Sequence, residues 1–195
     1  MAEVYAEGFL EYPLFRELFP EDAVRKKALP IFFEAYIESI YDYSDIYASS
    51  SNLEAVATVY DPEREDSKLR CFIKSILAKI KSLKMCRWIS LKHYFKVMAM
   101  QEKVSSRWVI DIVKQPYMHL DYLVVQKKYR GQGLMSQMME AILGEIDQKK
   151  LACTLETHNT RNVGIYNHFG YDLVKTIRIP EISLKQYCLV YRPSN

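Results

Sequence analysis

The chain has 195 residues, 49% of them apolar, with 15 Tyr and 8 Phe. That suffices for one packed domain with a real core and excludes a disordered chain, and no apolar run reaches the roughly 20 residues of a membrane span. The net charge of +3 is unevenly spread, at −10 over residues 1–67, +10 over 68–114 and +3 over 115–195.

Mutual neutralisation of the acidic and basic segments within the fold is the plain reading of that split. The functional ones are an acidic pocket for an amine and a basic face for an anionic partner. The opening MAEVYAEGFLEYP has no basic flank followed by an apolar stretch, the mark of a signal peptide, so a cytoplasmic location is expected. Cys71, Cys86, Cys153 and Cys188 lack Cys-x-x-Cys spacing and are expected to be reduced. The four histidines lack zinc-ligand spacing, and no metal is expected.

In chain order, Pro13 to Pro20 reads as a short helix bounded by prolines. Glu21-Asp22 open a longer one, with Ala28, Ile31, Phe32, Ala35, Tyr36 and Ile40 on its apolar face. Pro30 falls inside that pattern, where proline kinks or divides a helix. Asp45–Ala48 and Ala55–Tyr60 read as strands joined by the turn Ser49-Ser50-Ser51-Asn52. The acids Glu63, Glu65 and Asp66 after the second strand are candidates to border an amine site, against the plainer role of a solvated loop.

Residues 67–107 return to helix. Leu69, Phe72, Ile73, Ile76, Leu77, Ile80 and Leu83 make one stripe, with Lys68, Arg70, Lys74, Lys79, Lys81 and Lys84 mostly off it. Such a helix suits a membrane or a nucleic acid. The commoner role is a surface helix with a solvated basic face, and it is the one adopted here: no nucleic acid and no membrane is expected as a partner. Strand pattern resumes at Tyr117–Val125, helix at Leu134–Lys150, strand at Leu151–Thr157 and a short helix at Asn162–Phe169 closed by Gly170. Tyr171–Ile177 and Leu184–Tyr191 finish as strands. This order specifies an α/β or α+β mixed fold with helices packed on a sheet, and a parallel, right-handed strand–helix–strand unit over 117–157.

Two of the six glycines, Gly131 and Gly133, fall where the 117–125 strand gives way to helix, beside Lys127, Lys128 and Arg130. A helix start exposes backbone N–H groups, and glycine lets an anion approach them. The stretch therefore describes a phosphate cradle. It is not a Walker A loop, because Leu134-Met135 follow Gly133. It is not a dinucleotide fingerprint either, because Ser136 stands where a third glycine belongs.

Leu120-x-x-Leu123-x-Val125 followed by Lys128-Tyr129-Arg130-Gly131-Gln132-Gly133-Leu134 strongly resembles the acetyl-CoA motif of the GNAT N-acetyltransferase superfamily. Leu155-Glu156-Thr157, Asn159, Asn162, Tyr166 and Phe169-Gly170-Tyr171 resemble its second signature. Pro13-Leu14-Phe15-Arg16 with Leu18-Phe19-Pro20 looks like a bacterial branch that includes antibiotic acetyltransferases. The resemblance covers about 117–192 well and 11–62 more weakly; 67–114 has no residue-by-residue counterpart. Lys128 stands where the family has Gln or Arg, and Met135 where it has a small residue. The family's first strand has little room before Pro13, so that edge is expected to be missing or replaced.

The resemblance implies a single domain over 1–195 with a basic helical insertion at about 67–114. Its sheet is GNAT-like: mixed, mostly antiparallel, with a splayed parallel strand pair and helices on both faces. It implies an acetyl-CoA-dependent transfer to a primary amine of a small molecule by direct attack on the thioester, with a homodimer as an option. The implied cofactor-binding residues are Leu123, Val124, Val125, Lys128, Arg130, Gly131, Gln132, Gly133, Leu134, Met135, Asn162 and Tyr166. The Val125 N–H is the implied donor to the thioester oxygen and Tyr166 the implied general acid. Glu156, Asp121 and His119 are the candidate bases. The alternative is a catalytically silent fold that binds acyl-CoA or a protein partner.

Overall fold

The computed structural model describes residues 1–65 and 67–193. Their strands are β1 (Ser44–Ala48), β2 (Ala55–Tyr60), β3 (Tyr117–Val125), β4 (Ala152–Thr157), β5 (Tyr171–Ile179) and β6 (Leu184–Tyr191). They form one sheet in the order β1-β2-β3-β4-β6-β5, antiparallel throughout except for the parallel pair β3–β4. The helices are α1 (Ala2–Phe9), α2 (Pro13–Leu18), α3 (Asp22–Ile40), α4 (Lys68–Ser82), α5 (Leu91–Lys103), α6 (Trp108–Ile112), α7 (Leu134–Lys149) and α8 (Thr160–His168). The sheet is the mixed, mostly antiparallel one expected, with helices on both faces.

One face is covered by α7, which buries Met138, Met139, Ile142 and Ile146 against Met118, Leu120, Cys153 and Leu155. The other carries α1 and α3, whose Tyr5, Leu29 and Phe33 bury against Val56 and Val124. The chain starts with a helix where the family pattern has its first strand. That helix lies close on β3: a Cβ placed on Gly8 would clash with the Val124 side chain. The Tyr5 hydroxyl bonds Thr58 Oγ1 at 2.6 Å, fastening α1 to β2 as well. Buried Arg25 then ties the turns on either side of α2, donating to the carbonyls of Leu10 at 2.6 Å and Phe19 at 2.8 Å.

Pro30 neither divides nor ends α3, which runs unbroken from Asp22 to Ile40. A proline removes one backbone bond, whereas Leu29, Phe32, Phe33 and Ile37 are buried on both sides of it, and that packing outweighs the lost bond. β3 does not alternate strictly along 117–125. Thr58 pairs with Tyr122 but Val59 with Leu120, so Asp121 is an extra residue, a β-bulge. Met118 and Leu120 face α7 before it, and Leu123 and Val125 do so after it.

The solvated basic face expected of the 67–83 helix is corrected too. In α4 two of the four lysines turn toward the acids of α3 and the turn after it: Lys74, with Arg70, pairs with Asp42, and Lys81 with Glu34 and Glu38, while Lys68 and Lys79 stay exposed. The apolar stripe faces solvent. The acidic first third and the basic middle segment do meet in the fold, at these pairs.

The Gly8 contact predicts that Gly8→Ala destabilises the protein by roughly 1–3 kcal/mol, the scale of an overpacked core. Urea unfolding should show a lower midpoint, and Val124→Ala in the same chain should restore much of the loss; additive losses would refute the contact.

Candidate active site

The parallel ladder between β3 and β4 is short: Tyr117, Met118 and His119 pair with Ala152, Cys153 and Thr154, and there it ends. Both strands continue, but with other partners. β3 stays on β2 as far as Val125, and β4 on β6 as far as Thr157. A V-shaped gap opens between them, and a cleft of about 800 Å³ runs through it.

The register fixes which backbone groups face the gap. Gln126 N–H donates to Glu54 O at 2.8 Å, in line with the Val124–Val56 pairing. In an antiparallel pair, alternate residues bond toward the same neighbour. Tyr122, Val124 and Gln126 therefore bond toward β2, and Leu123 and Val125 turn their N–H and C=O toward the gap. Val124 contributes its side chain to the cleft wall, not its backbone.

At the wide end the glycine corner follows. Gly131 and Gly133 have φ of +78° and +76°, the left-handed region that favours glycine, with open space around both. Gly133 is the N-cap of α7 and offers no capping side chain, so the first amides of α7 lack a side-chain cap. Arg130, Gly131, Leu134 and Met135 line the cleft; Lys128, Gln132 and Gly133 lie on the same loop outside its wall. Met135 packs partly into the α7 core, which draws its bulk away from the loop. Across the gap, Asn159 caps α8 by accepting from Arg161 N–H at 3.1 Å. Asn162 donates to Thr157 Oγ1 at 3.3 Å. The Tyr166 hydroxyl has no hydrogen-bond partner among the described residues, lines the cleft, and has its pKa raised by burial.

At the fork itself sits a charged cluster. His119 Nε2 lies 3.0 Å from Glu156 Oε2 and 3.8 Å from Asp121 Oδ1. His119 Nδ1 meets Thr154 Oγ1 at 2.7 Å, and that hydroxyl donates onward to Met118 O at 3.4 Å. Trp108 Nε1 donates to Glu156 Oε1. Burial works against a charged imidazole, but Glu156 beside it, helped by Asp121, outweighs this and raises His119 to about 9. Burial likewise opposes the charged form of Glu156, and His119 with the Trp108 hydrogen bond overcomes it, leaving its pKa lowered. The two directions agree on an ion pair. Asp121 differs: burial raises its carboxyl to about 6, only partly countered by His119 and by the Tyr36 hydroxyl, 2.9 Å from Oδ1. Its Oδ2 has no hydrogen-bond partner among the described residues.

Asp121, Glu156, Asn162 and Tyr166 thus line one cleft, and His119 stands buried behind its wall. Glu63 and Glu65 do not line it, and Asp66 lies outside the described residues. Sequence reading missed Trp108, Tyr36 and Tyr12, the last of which accepts from His158 N–H at 2.7 Å across the end of β4. Trp108 is one of two tryptophans in the chain, a weak signal; nothing in the spacing marked the tyrosines.

The Acetyltransferase (GNAT) domain family matches residues 57–179. The chain belongs to this family. A GNAT acetyltransferase of this kind carries acyl-CoA-dependent acetyl transfer in general. Among solved structures, one from Corynebacterium glutamicum described as histone acetyltransferase HPA2 and related acetyltransferase aligns with a TM-score of 0.67 at 19% identity, over 100% of this chain and 90% of that one. The ribosomal-protein-S18-alanine N-acetyltransferase of Escherichia coli aligns with a TM-score of 0.49 at 10% identity, over 84% and 77%. The first likeness shows the fold of this acetyltransferase. No curated protein matches its sequence.

The ion pair at the fork gives a prediction with a definite sign. His119 is raised above its ordinary 6.5, so its share of stability is full below about 6.5 and lost as pH rises through about 9. Glu156 is lowered from 4.5, so its share is present above 4.5 and lost as pH falls through its folded value. Glu156→Gln should therefore cost about 3 kcal/mol or more, with the difference from wild type largest between about pH 4.5 and 6.5 and shrinking toward 9. NMR should find His119 titrating well below 6.5 in the variant; an unchanged titration would refute the pairing.

Proposed function

We propose that this acetyltransferase moves an acetyl group from acetyl-CoA to the primary amine of a small molecule by direct attack on the thioester. The observation that carries the reading is one gap with a fit for each half of the reaction. At its wide end stand an uncapped helix start and two left-handed glycines. At its fork lies Asp121, a carboxyl raised to about 6 with one oxygen unpartnered among the described residues.

The residues suit acetyl-CoA part by part. The amides from Arg130 to Met135 would hold the pyrophosphate, with Lys127, Lys128 or Arg161 for the outer phosphate. The gap-facing backbone of Leu123 and Val125 would pair with the pantetheine arm as a strand does, and Asn162 would bind it from the α8 side. Bound there, acetyl-CoA supplies the activated acyl group.

The protein's own work is proton handling and orientation. An alkyl ammonium has a pKa near 10.4, so about one molecule in a thousand is nucleophilic at neutral pH, equivalent to roughly 4 kcal/mol. A base with a pKa near the working pH and an accessible lone pair is needed. Asp121 meets the first, and its Oδ2, buried at the cleft wall and unpartnered among the described residues, is the lone pair the acceptor would have to reach. Glu156 has one oxygen taken by Trp108 and the other by His119, and His119 is charged in turn, so we assign this pair to fixing the fork. The Val125 N–H is the donor for the acyl oxygen. Tyr166, kept protonated by burial, is the acid that gives its proton to the leaving sulfur.

Gly131→Asp adds a side chain at positive φ and a negative charge beside the phosphates. It should abolish coenzyme A binding in calorimetry, and retained affinity would refute the cradle. In a thiol-release assay over a panel of small amines, Asp121→Asn should lower kcat/KM about a hundredfold or more and Tyr166→Phe should lower kcat with binding intact. For the wild type, kcat/KM should fall as pH drops through about 6 and Asp121 takes up its proton. Coenzyme A binding without turnover of any amine would sink the reading.

A further inference from the structure

The outer side of α4 is used by nothing described so far. Its apolar residues recur at three and four positions, which puts them along one side of the helix. That side is bare: Leu69 is 67% exposed, Phe72 62%, Leu77 58% and Ile80 57%, with Ile73, Ile76 and Leu83 between them also exposed. The helix is held from behind by small and charged residues. Ser82 is buried and bonds Tyr94 Oη at 2.9 Å, while Lys74 and Lys81 reach the carboxylates of Asp42, Glu34 and Glu38. The apolar side is thus surplus to the fold's own packing, and its orientation is fixed by ion pairs along the flank away from Lys68 and Lys79.

The charges around the stripe decide what it faces. At 100° per residue, Lys68 and Lys79 fall on one border of the stripe, and Lys84 and Arg87 follow its C-terminal end. None of these four has a carboxylate partner among the described residues. Residues 67–101 contain no Asp or Glu. A second copy docked through α4 would set cationic rim against cationic rim, with no acid on the helix to relieve it. A single convex ridge of about 22 Å also suits a plane better than a groove. No helix among the described residues is long and apolar enough to cross a membrane, so a lipid contact here is one that lies on the surface.

We propose that α4 seats this protein on an anionic phospholipid surface, its Leu, Ile and Phe side chains in the acyl boundary and its rim cations among the headgroups. The side chains that enter the lipid are not those that hold α4 to α3, so binding leaves the fold intact. The interaction is sensitive to salt through the cations and to apolar area through the stripe.

The test is co-sedimentation of the full chain with vesicles of phosphatidylcholine alone or mixed with phosphatidylglycerol, at low and high salt. Partition onto the mixed vesicles is expected to exceed that onto neutral ones by roughly tenfold or more and to weaken with salt. The pair Ile73→Glu with Leu77→Glu should abolish it with circular dichroism unchanged. The pair Lys68→Glu with Lys79→Glu should remove the preference for anionic lipid while leaving the apolar stripe whole. Absence of binding to mixed vesicles, or binding that neither pair alters, would overturn the proposal. So would sedimentation equilibrium showing a dimer that Ile73→Glu with Leu77→Glu dissociates, since the face would then belong to a second copy.

Discussion

The site depends on a strand pair that separates while each strand keeps its other neighbour. Unpaired backbone groups in a sheet interior are costly, and a splayed pair leaves several of them. Each strand keeps one side paired, β3 to β2 and β4 to β6, so the cost falls on the two edges that face the gap. On β3 the gap-facing groups are those of Leu123 and Val125, and Arg130 Nε donates to the Val125 carbonyl at 3.1 Å. A sheet interior with a vacant strand position is a ready receptor for an extended, amide-bearing chain, and its direction runs from the fork toward the glycine corner. Under the proposed function, recognition along β3 would be by backbone geometry, which side-chain substitution there alters little.

Two features hold the fork open. The bulge at Asp121 increases the local twist of β3: Asp121 keeps the face of His119, 3.8 Å away, and Tyr122 and Val124 after it stay on that face too. Behind it, His119, Glu156, Thr154 and Trp108 form a buried polar cluster in which each charged atom has a partner. A buried pair of this kind is weak as a source of stability but strongly penalised when broken. Its value at this position is therefore geometric. It fixes the last paired rungs of β3 and β4 and so fixes where the separation begins. It also separates two carboxyls by environment, one locked and low, the other raised with an oxygen to spare.

Much of this was legible in the chain, and the reason is locality. Helix and strand boundaries over 117–191 follow from period and from Gly131, Gly133 and Gly170, residues whose conformation their own sequence neighbours demand. The glycine corner is contiguous with those elements and was legible with them. The fork was legible only in part. Asp121 and Glu156 are recognisable as polar residues on buried strands, but their surroundings depend on Trp108, which bonds Glu156 from 48 residues away, Tyr36, which bonds Asp121 from 85, and Tyr12, which bonds the neighbouring Thr157 from 145. The bulge that separates Asp121 from plain alternation is a property of pairing with Thr58 and Val59, invisible in either strand alone. The N-terminal helix carries a stripe of its own, Ala2, Tyr5, Ala6 and Phe9 at i, i+3, i+4 and i+7, but over only eight residues and with no capping side chain, which is a short signal.

The reversal of α4 shows where periodicity stops being informative. A 3.6-residue pattern says that one side of a helix is apolar; it does not say which side meets the protein. That is settled by what the neighbouring surface offers, and α3 with the turn after it offers Glu34, Glu38 and Asp42. Against such a surface, an inward apolar face would bury carboxylates without partners, at several kcal/mol each. Lysine stems can cover apolar surface while their heads find those acids, so Lys74 and Lys81 turn inward and Leu69, Phe72 and Leu77 turn out. The acidic first third of the chain therefore does more than neutralise the basic segment. It selects the helix face that is left for whatever lies outside, and it does so without involving any residue of the cleft.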